Sequence, residues 1–163
     1  TNVPARWHKD YLERLYRRNE LVQAGAISVM DVPLDLARIA TPAYVQAGKE
    51  DHIAPVGSVW KIMPFLKGTK TFLLAGSGHI AGVVNPPAAN KYQPWVGDGG
   101  AVTLDDFMAG TTEHAGSWWP HWRTWLRELD GAEVPAKKAR VPGKGKSKGK
   151  VLTDAPGDYV RMR

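Results

Sequence analysis

The sequence predicts an α/β fold built around a parallel strand pair, and three stretches carry that prediction. "PAYVQAG" (42–48) is a short β-branched and aromatic run closed by glycine, and it reads as a strand. "SVWKIMPFL" (58–66) reads as a helix with Ser58 as its N-cap, shortened or kinked by Pro64. "KTFLLAG" (70–76) is a second, more apolar strand. Strand, loop, helix and strand within about thirty residues make a βαβ unit. Such a unit leaves its strands parallel and joined by a right-handed crossover. Buried parallel strands are continuously apolar, as "FLLAG" is.

The remaining elements follow in order. "PARWHKDYLERLYRRNELV" (4–22) reads as an amphipathic helix, with Trp7, Tyr11 and Leu15 at i+4 spacing and Leu12 and Tyr16 likewise. Pro4 suits its first turn and Gly25 its stop. Residues 27–42 form a turn-rich connection, and "KEDHIAP" (49–55) is a polar loop. After His79 the chain reads as loop through Gly100, then as helices over 104–115 and 116–129. Trp118, Trp122, Trp125 and Leu129 recur at i+3 and i+4 on the second of these. That spacing favours core packing over a polymer-binding aromatic surface, with Trp119 the one to point elsewhere. No internal repeat is present.

Charge divides unevenly along the chain. Residues 137–150, "KKARVPGKGKSKGK", hold seven of the 22 basic residues and no acid, which leaves 15 basic against 16 acidic elsewhere. The net charge of +6 and the pI near 9.6 therefore describe a linker rather than a basic fold. A specific nucleic-acid face would need a patch on the folded body, and none is expected. The linker reads as a solvated spacer, with weak attraction to anionic surfaces as the second reading. The organisation expected is thus a folded part over 1–135, a basic Gly/Lys-rich linker over 136–150 and a short extension over 151–163. The 43% hydrophobic content is that of an ordinary globular chain. No apolar run approaches the length of a transmembrane span, and no signal pattern opens the chain. The first residue is Thr rather than Met, which fits a chain that starts inside a longer protein. The absence of cysteine excludes disulfides, thiolate metal sites and a cysteine nucleophile from this chain.

In open parallel sheets the functional loops lie beyond the carboxyl ends of the strands. Two such loops are expected side by side. One carries Glu50, Asp51 and His52, and the other, "GSGHIAG", carries Ser77 and His79. An aspartate beside a loop histidine suggests an acid–base pair, in which the carboxylate fixes the imidazole tautomer and stabilises the imidazolium. Neighbouring strands would bring Asp51 and His79 within hydrogen-bond reach, about 2.6–3.2 Å. The bland alternative is a histidine bonded to backbone and a solvated Glu–Asp pair. Ser77 is no nucleophile, because it follows the wrong strand for a nucleophile elbow. His8, His114 and His121 share no ligand spacing, so no metal site is expected.

Three stretches, "YVQAGKEDHIAPVGSVW", "GSGHIAGVVNPP" and "HAGSWWPHWRTWL", together resemble the C-terminal part of polyhydroxyalkanoate synthases, most like the class I enzymes. "LYRRNEL" and the closing "DAPGDYV" match flanking segments of that family, so the resemblance covers nearly all of the chain outside the basic linker. It implies the C-terminal portion of an α/β-hydrolase fold, with parallel strands and flanking helices, truncated at the N-terminus. The family polymerises (R)-3-hydroxyacyl-CoA into polyester and releases CoA through a Cys-His-Asp triad. By motif, Asp51 matches the triad acid and His79 the triad base, with His52 in a supporting loop role and Asn19 capping the first helix or bracing it against the active-site region. The nucleophile of the family sits in an upstream "G-x-C-x-G" elbow that this chain lacks, so the chain alone is expected to be inactive.

The partners implied are hydroxyacyl-CoA, the growing polyester, the N-terminal half of the synthase, a second copy in a homodimer and the polyester granule surface. No cofactor is implied. The location implied is cytoplasmic, at granules. Two other readings stay open at this point: a non-catalytic fragment that binds granules or a synthase subunit, and an esterase or depolymerase of the same superfamily.

Overall fold

The computed structural model describes residues 2–133 and 153–162. The boundaries expected at 135/136 and 150/151, and the basic run between them, lie outside the described residues. The chain divides into two units, Thr1–His121 and Trp122–Arg163.

The first unit opens with α1 (Ala5–Asp10), which passes into a π-helical stretch over Tyr11–Arg17. The helix expected over 4–22 is therefore formed only over 5–17, and its second half is π-helical. Asn19 adopts φ 48°, a left-handed conformation that ends the helix well before Gly25. Arg14 holds the chain folded back at this point, donating from Nε to Glu20 Oε2 and from Nη2 to Ala26 O, both at 2.7 Å. The apolar stripe that predicted a buried face is exposed, with Tyr16 at 83%. A two-residue hairpin follows, pairing β1 (Ser28–Val29) with β2 (Val32–Pro33). Its turn residues Met30 and Asp31 both have positive φ, as tight hairpins require. The hairpin lies inside the stretch expected to be a turn-rich connection, and methionine at its turn gave no sign of the strand pairing.

β3 (Ala43–Gly48) and β4 (Lys70–Ala75) then pair in parallel, as the βαβ reading expects. Between them α2 covers only Val56–Trp60 and starts from Pro55 rather than from Ser58. Proline fits a helix start because its missing N–H would have no partner there. Pro64 explains the early end, since a proline ring clashes with the carbonyl four residues back, here that of Trp60. A third strand, β5 (Pro94–Asp98), pairs antiparallel with β4 inside the stretch expected to be loop. Its proline is the first strand residue, where a missing ladder donor is tolerated. The next helix, α3 (Leu104–Gly110), is shorter than expected and begins with a reciprocal cap between Thr103 and Asp106. Gly97 allows it to sit close to β5, because a Cβ there would lie 2.6 Å from Thr111 Cγ2.

Alternation along β4 sends side chains to both faces of the sheet. Phe72 and Leu74 join Trp60, Met63, Trp95 and Phe107 in the core cluster. Phe72 meets Trp60 edge-on at 4.8 Å and Phe107 edge-on at 5.0 Å between ring centroids. Leu73, also fully buried, lies on the other face. There Tyr44 of β3 stacks with Trp118 at 6.4 Å. The mixed α/β composition and the parallel pair agree with the expected fold class.

α4 (Trp119–Leu129) has no buried residue, so the tryptophan spacing does not mark a core face. In the second unit Arg127 Nη2 donates to Glu133 Oε1 at 2.8 Å, and Tyr159–Arg161 forms one 3-10 turn. No described helix is long and apolar enough to cross a membrane.

Phe72→Ala should remove the centre of the aromatic cluster and lower unfolding free energy by about 3–5 kcal/mol. Denaturant titration measures this, and a loss below about 1 kcal/mol would mean that the ring is not a packed core group.

Candidate active site

The parallel register that pairs Gly48 with Ala75 continues past both strands. The Lys49 N–H donates to Ala75 O at 2.8 Å and the Glu50 N–H to Ser77 O at 3.0 Å. These bonds stitch together the two loops that carry the candidate residues. Gly48 permits the close approach, since a Cβ there would lie 3.0 Å from Ser77 O and 3.1 Å from Asp51 Cβ.

Asp51 uses both carboxylate oxygens. Oδ1 accepts the backbone N–H of Ile53 at 2.8 Å and of Ala54 at 2.9 Å, which shapes its own loop. Oδ2 lies 2.8 Å from His79 Nδ1, inside the range expected from the adjacent strands. The Ala54 N–H foremost, and also His79 and the Ile53 N–H, hold the carboxyl pKa down from 3.8 to about 2, against an opposing effect of burial. An ionised carboxylate only accepts hydrogen bonds, so Nδ1 carries the proton of this bond. In the neutral imidazole Nε2 is then the acceptor, and it has no hydrogen-bond partner among the described residues. The two side chains differ in exposure, at 8% for Asp51 and 47% for His79. A shielded carboxylate thus orients an imidazole that reaches solvent.

His79 sits in a tight turn closed by the Gly82 N–H on Gly78 O at 3.0 Å. Ser77, just before it, has φ 142°, a conformation that non-glycine residues rarely adopt. Strain of this kind costs of order 1–3 kcal/mol and gathers at functional loops. Of the other sequence candidates, Glu50 and His52 are both exposed. His52 makes no hydrogen bond among the described residues, and Asp51 itself braces the loop backbone. His121 Nδ1 lies 3.0 Å from the Tyr44 hydroxyl, and burial pushes that phenol's pKa well above its ordinary value. Among the described residues no group of three histidines or carboxylates has the geometry to hold a metal ion.

Sequence reasoning missed Asn85, which is buried at 4% exposure, and its neighbour in space Ser117. The available signal was a lone amide inside the apolar run "VVNPP". A residue of that kind has to find partners when buried.

Because the folded pKa of Asp51 lies below its unfolded value, its charge stabilises the fold above about pH 4 and loses that effect as pH falls toward 2. The gap in thermal midpoint between the parent protein and Asp51→Asn should therefore be largest above about pH 4 and close by about pH 2. A gap independent of pH over this window would contradict the assignment.

No protein-family model matches the chain. Curated proteins do. The chain is 44% identical over 163 residues to the poly(3-hydroxyalkanoate) polymerase subunit PhaC of Rhizobium meliloti and 39% identical over 163 residues to that of Cupriavidus necator. It is 43% identical over 164 residues to the poly(3-hydroxyalkanoate) polymerase of Methylorubrum extorquens. Each match covers 100% of this chain but only 26–27% of the relative, so the chain spans about a quarter of the proteins it resembles. Identity at this level over the whole chain is inherited, and the chain belongs to the poly(3-hydroxyalkanoate) polymerase family as its C-terminal part.

Proposed function

We propose that this chain supplies the aspartate and histidine of a Cys-His-Asp triad in an α/β-hydrolase-type acyltransferase. The whole enzyme would polymerise (R)-3-hydroxyacyl-CoA into polyester in the cytoplasm, at the granule surface. The observation that carries this reading is the bond of 2.8 Å from Asp51 Oδ2 to His79 Nδ1, which leaves Nε2 as a base facing out of the fold. The chain has no cysteine, so the nucleophile would come from the rest of the polymerase.

A free thiol with a pKa near 8.5 is mostly protonated at neutral pH and reacts as the thiolate. His79 Nε2 would take the thiol proton as sulfur attacks the acyl-CoA thioester carbonyl. The tetrahedral adduct then collapses, the bond to the CoA sulfur breaks, and the imidazolium returns its proton to that sulfur. In elongation the same nitrogen would take the proton of a hydroxyl group attacking the cysteine-bound acyl group. The new ester forms as the cysteine leaves and is reprotonated. In both steps Asp51 faces a transient imidazolium, and its ionised carboxylate is poised to stabilise that charge. His52, exposed beside Asp51, would take no part in proton transfer.

In the full-length polymerase, His79→Ala should lower CoA release from (R)-3-hydroxybutyryl-CoA by about a hundredfold or more. Asp51→Asn should be comparably severe, because an amide cannot stabilise the imidazolium. His52→Ala should lose less than about tenfold. An inactive His52 variant beside an active His79 variant would move the base to the other loop.

A further inference from the structure

The turn that carries His79 is gripped at its far end by side chains that the triad reading leaves unused. Gly82, Val83 and Asn85 present backbone carbonyls, and three consecutive residues donate to them. Trp118 Nε1–H donates to Gly82 O at 3.0 Å, and Trp119 Nε1–H donates to Val83 O at 3.1 Å. The Ser117 hydroxyl donates to Asn85 O and accepts the Trp119 N–H at 3.1 Å. Asn85 bonds in return, its Nδ2 donating to Lys91 O at 2.9 Å and lying 3.5 Å from Gly116 O.

Two features make this more than loop packing. Gly82 closes the His79 turn with its N–H while Trp118 holds its carbonyl, so a shift at Gly82 carries through to the histidine. The Trp118 ring also stacks on Tyr44 of β3, the strand that ends in the Asp51 loop. One indole therefore bridges the element that presents the acid and the turn that presents the base. A tryptophan that serves as a strut between a strand and a polar turn has no need of full burial, which fits its half-buried state.

We propose that Trp118, with Ser117 and Asn85, acts as a set of positioning residues that keep the His79 turn in register with Asp51. This rests on the proposed role of His79 as the base. Trp118→Phe retains an aromatic ring for Tyr44 and deletes the pyrrole half of the indole, with the N–H bound to Gly82. In the full-length polymerase it should lower kcat for (R)-3-hydroxybutyryl-CoA by between about tenfold and a hundredfold, the scale of a small misplacement of a reacting group. KM and the thermal midpoint should stay close to those of the parent. Placed on His79→Gln, the same substitution should cause no further loss, because the group it positions is already gone.

An unchanged kcat, or an equal fold-loss in both backgrounds, would overturn the inference. Ser117→Ala, which removes one hydroxyl, carries the same test if Trp118→Phe fails to accumulate. If His79→Gln itself kept parental turnover, the proposed function would fall and this inference with it. An inactive His79→Gln beside an unaffected Trp118→Phe would overturn the positioning role alone.

Discussion

The parallel ladder between β3 and β4 sets the geometry on which everything else depends. Its register pairs Gly48 with Ala75, and its continuation through Lys49 and Glu50 brings the two loops against each other. A slip of one residue would turn Phe72 away from Trp60 and Phe107 and put Leu73 in its place. The same slip would part Asp51 from His79. The aromatic core and the Asp51–His79 bond are thus two consequences of one pairing, and the core enforces the register that the bond requires.

Polar order around His79 is built mainly from backbone groups. Asp51 binds two N–H groups of its own loop, and the turn after Gly78 closes on its own carbonyl. Backbone donors are fixed by the chain path, so they hold a carboxylate in place with little rearrangement. The side chains that complete the arrangement come from Ser117, Trp118 and Trp119, which lie far along the chain and reach the turn across the sheet's second face. Strain at Ser77 is consistent with a turn whose shape is imposed by these contacts.

The parts legible in the sequence were those with a local chemical cause. β3 and β4 were readable because each is a compact run of strand formers ending at glycine, and the short link between them left a parallel crossover. The positions of Asp51 and His79 followed, since residues just beyond adjacent parallel strands must be neighbours. Elements governed by distant contacts were not readable. β5 hides behind Pro94 and a glycine, and becomes a strand only by pairing with β4. The first helix has good periodicity, yet the Arg14–Glu20 bond and the left-handed Asn19 break its course. The tryptophans of "GSWWPHWRTWL" show helical spacing, but for Trp118 and Trp119 the indole N–H groups matter as much as the rings. Hydrophobic spacing carries no information about where an N–H will find its acceptor.

The proposed role of His79 is to serve a thiol that the rest of the polymerase supplies. The most direct measurement is the rate of alkylation of the nucleophilic cysteine by iodoacetamide in the full-length polymerase, followed against pH with no acyl-CoA present. The thiolate alone reacts, so the rate reports how far an adjacent base has drawn off the proton. The parent enzyme should be alkylated readily at neutral pH, and His79→Gln should shift the profile up toward the range of an ordinary thiol, about 8.5. Identical profiles for parent and variant would mean that His79 does not serve this thiol.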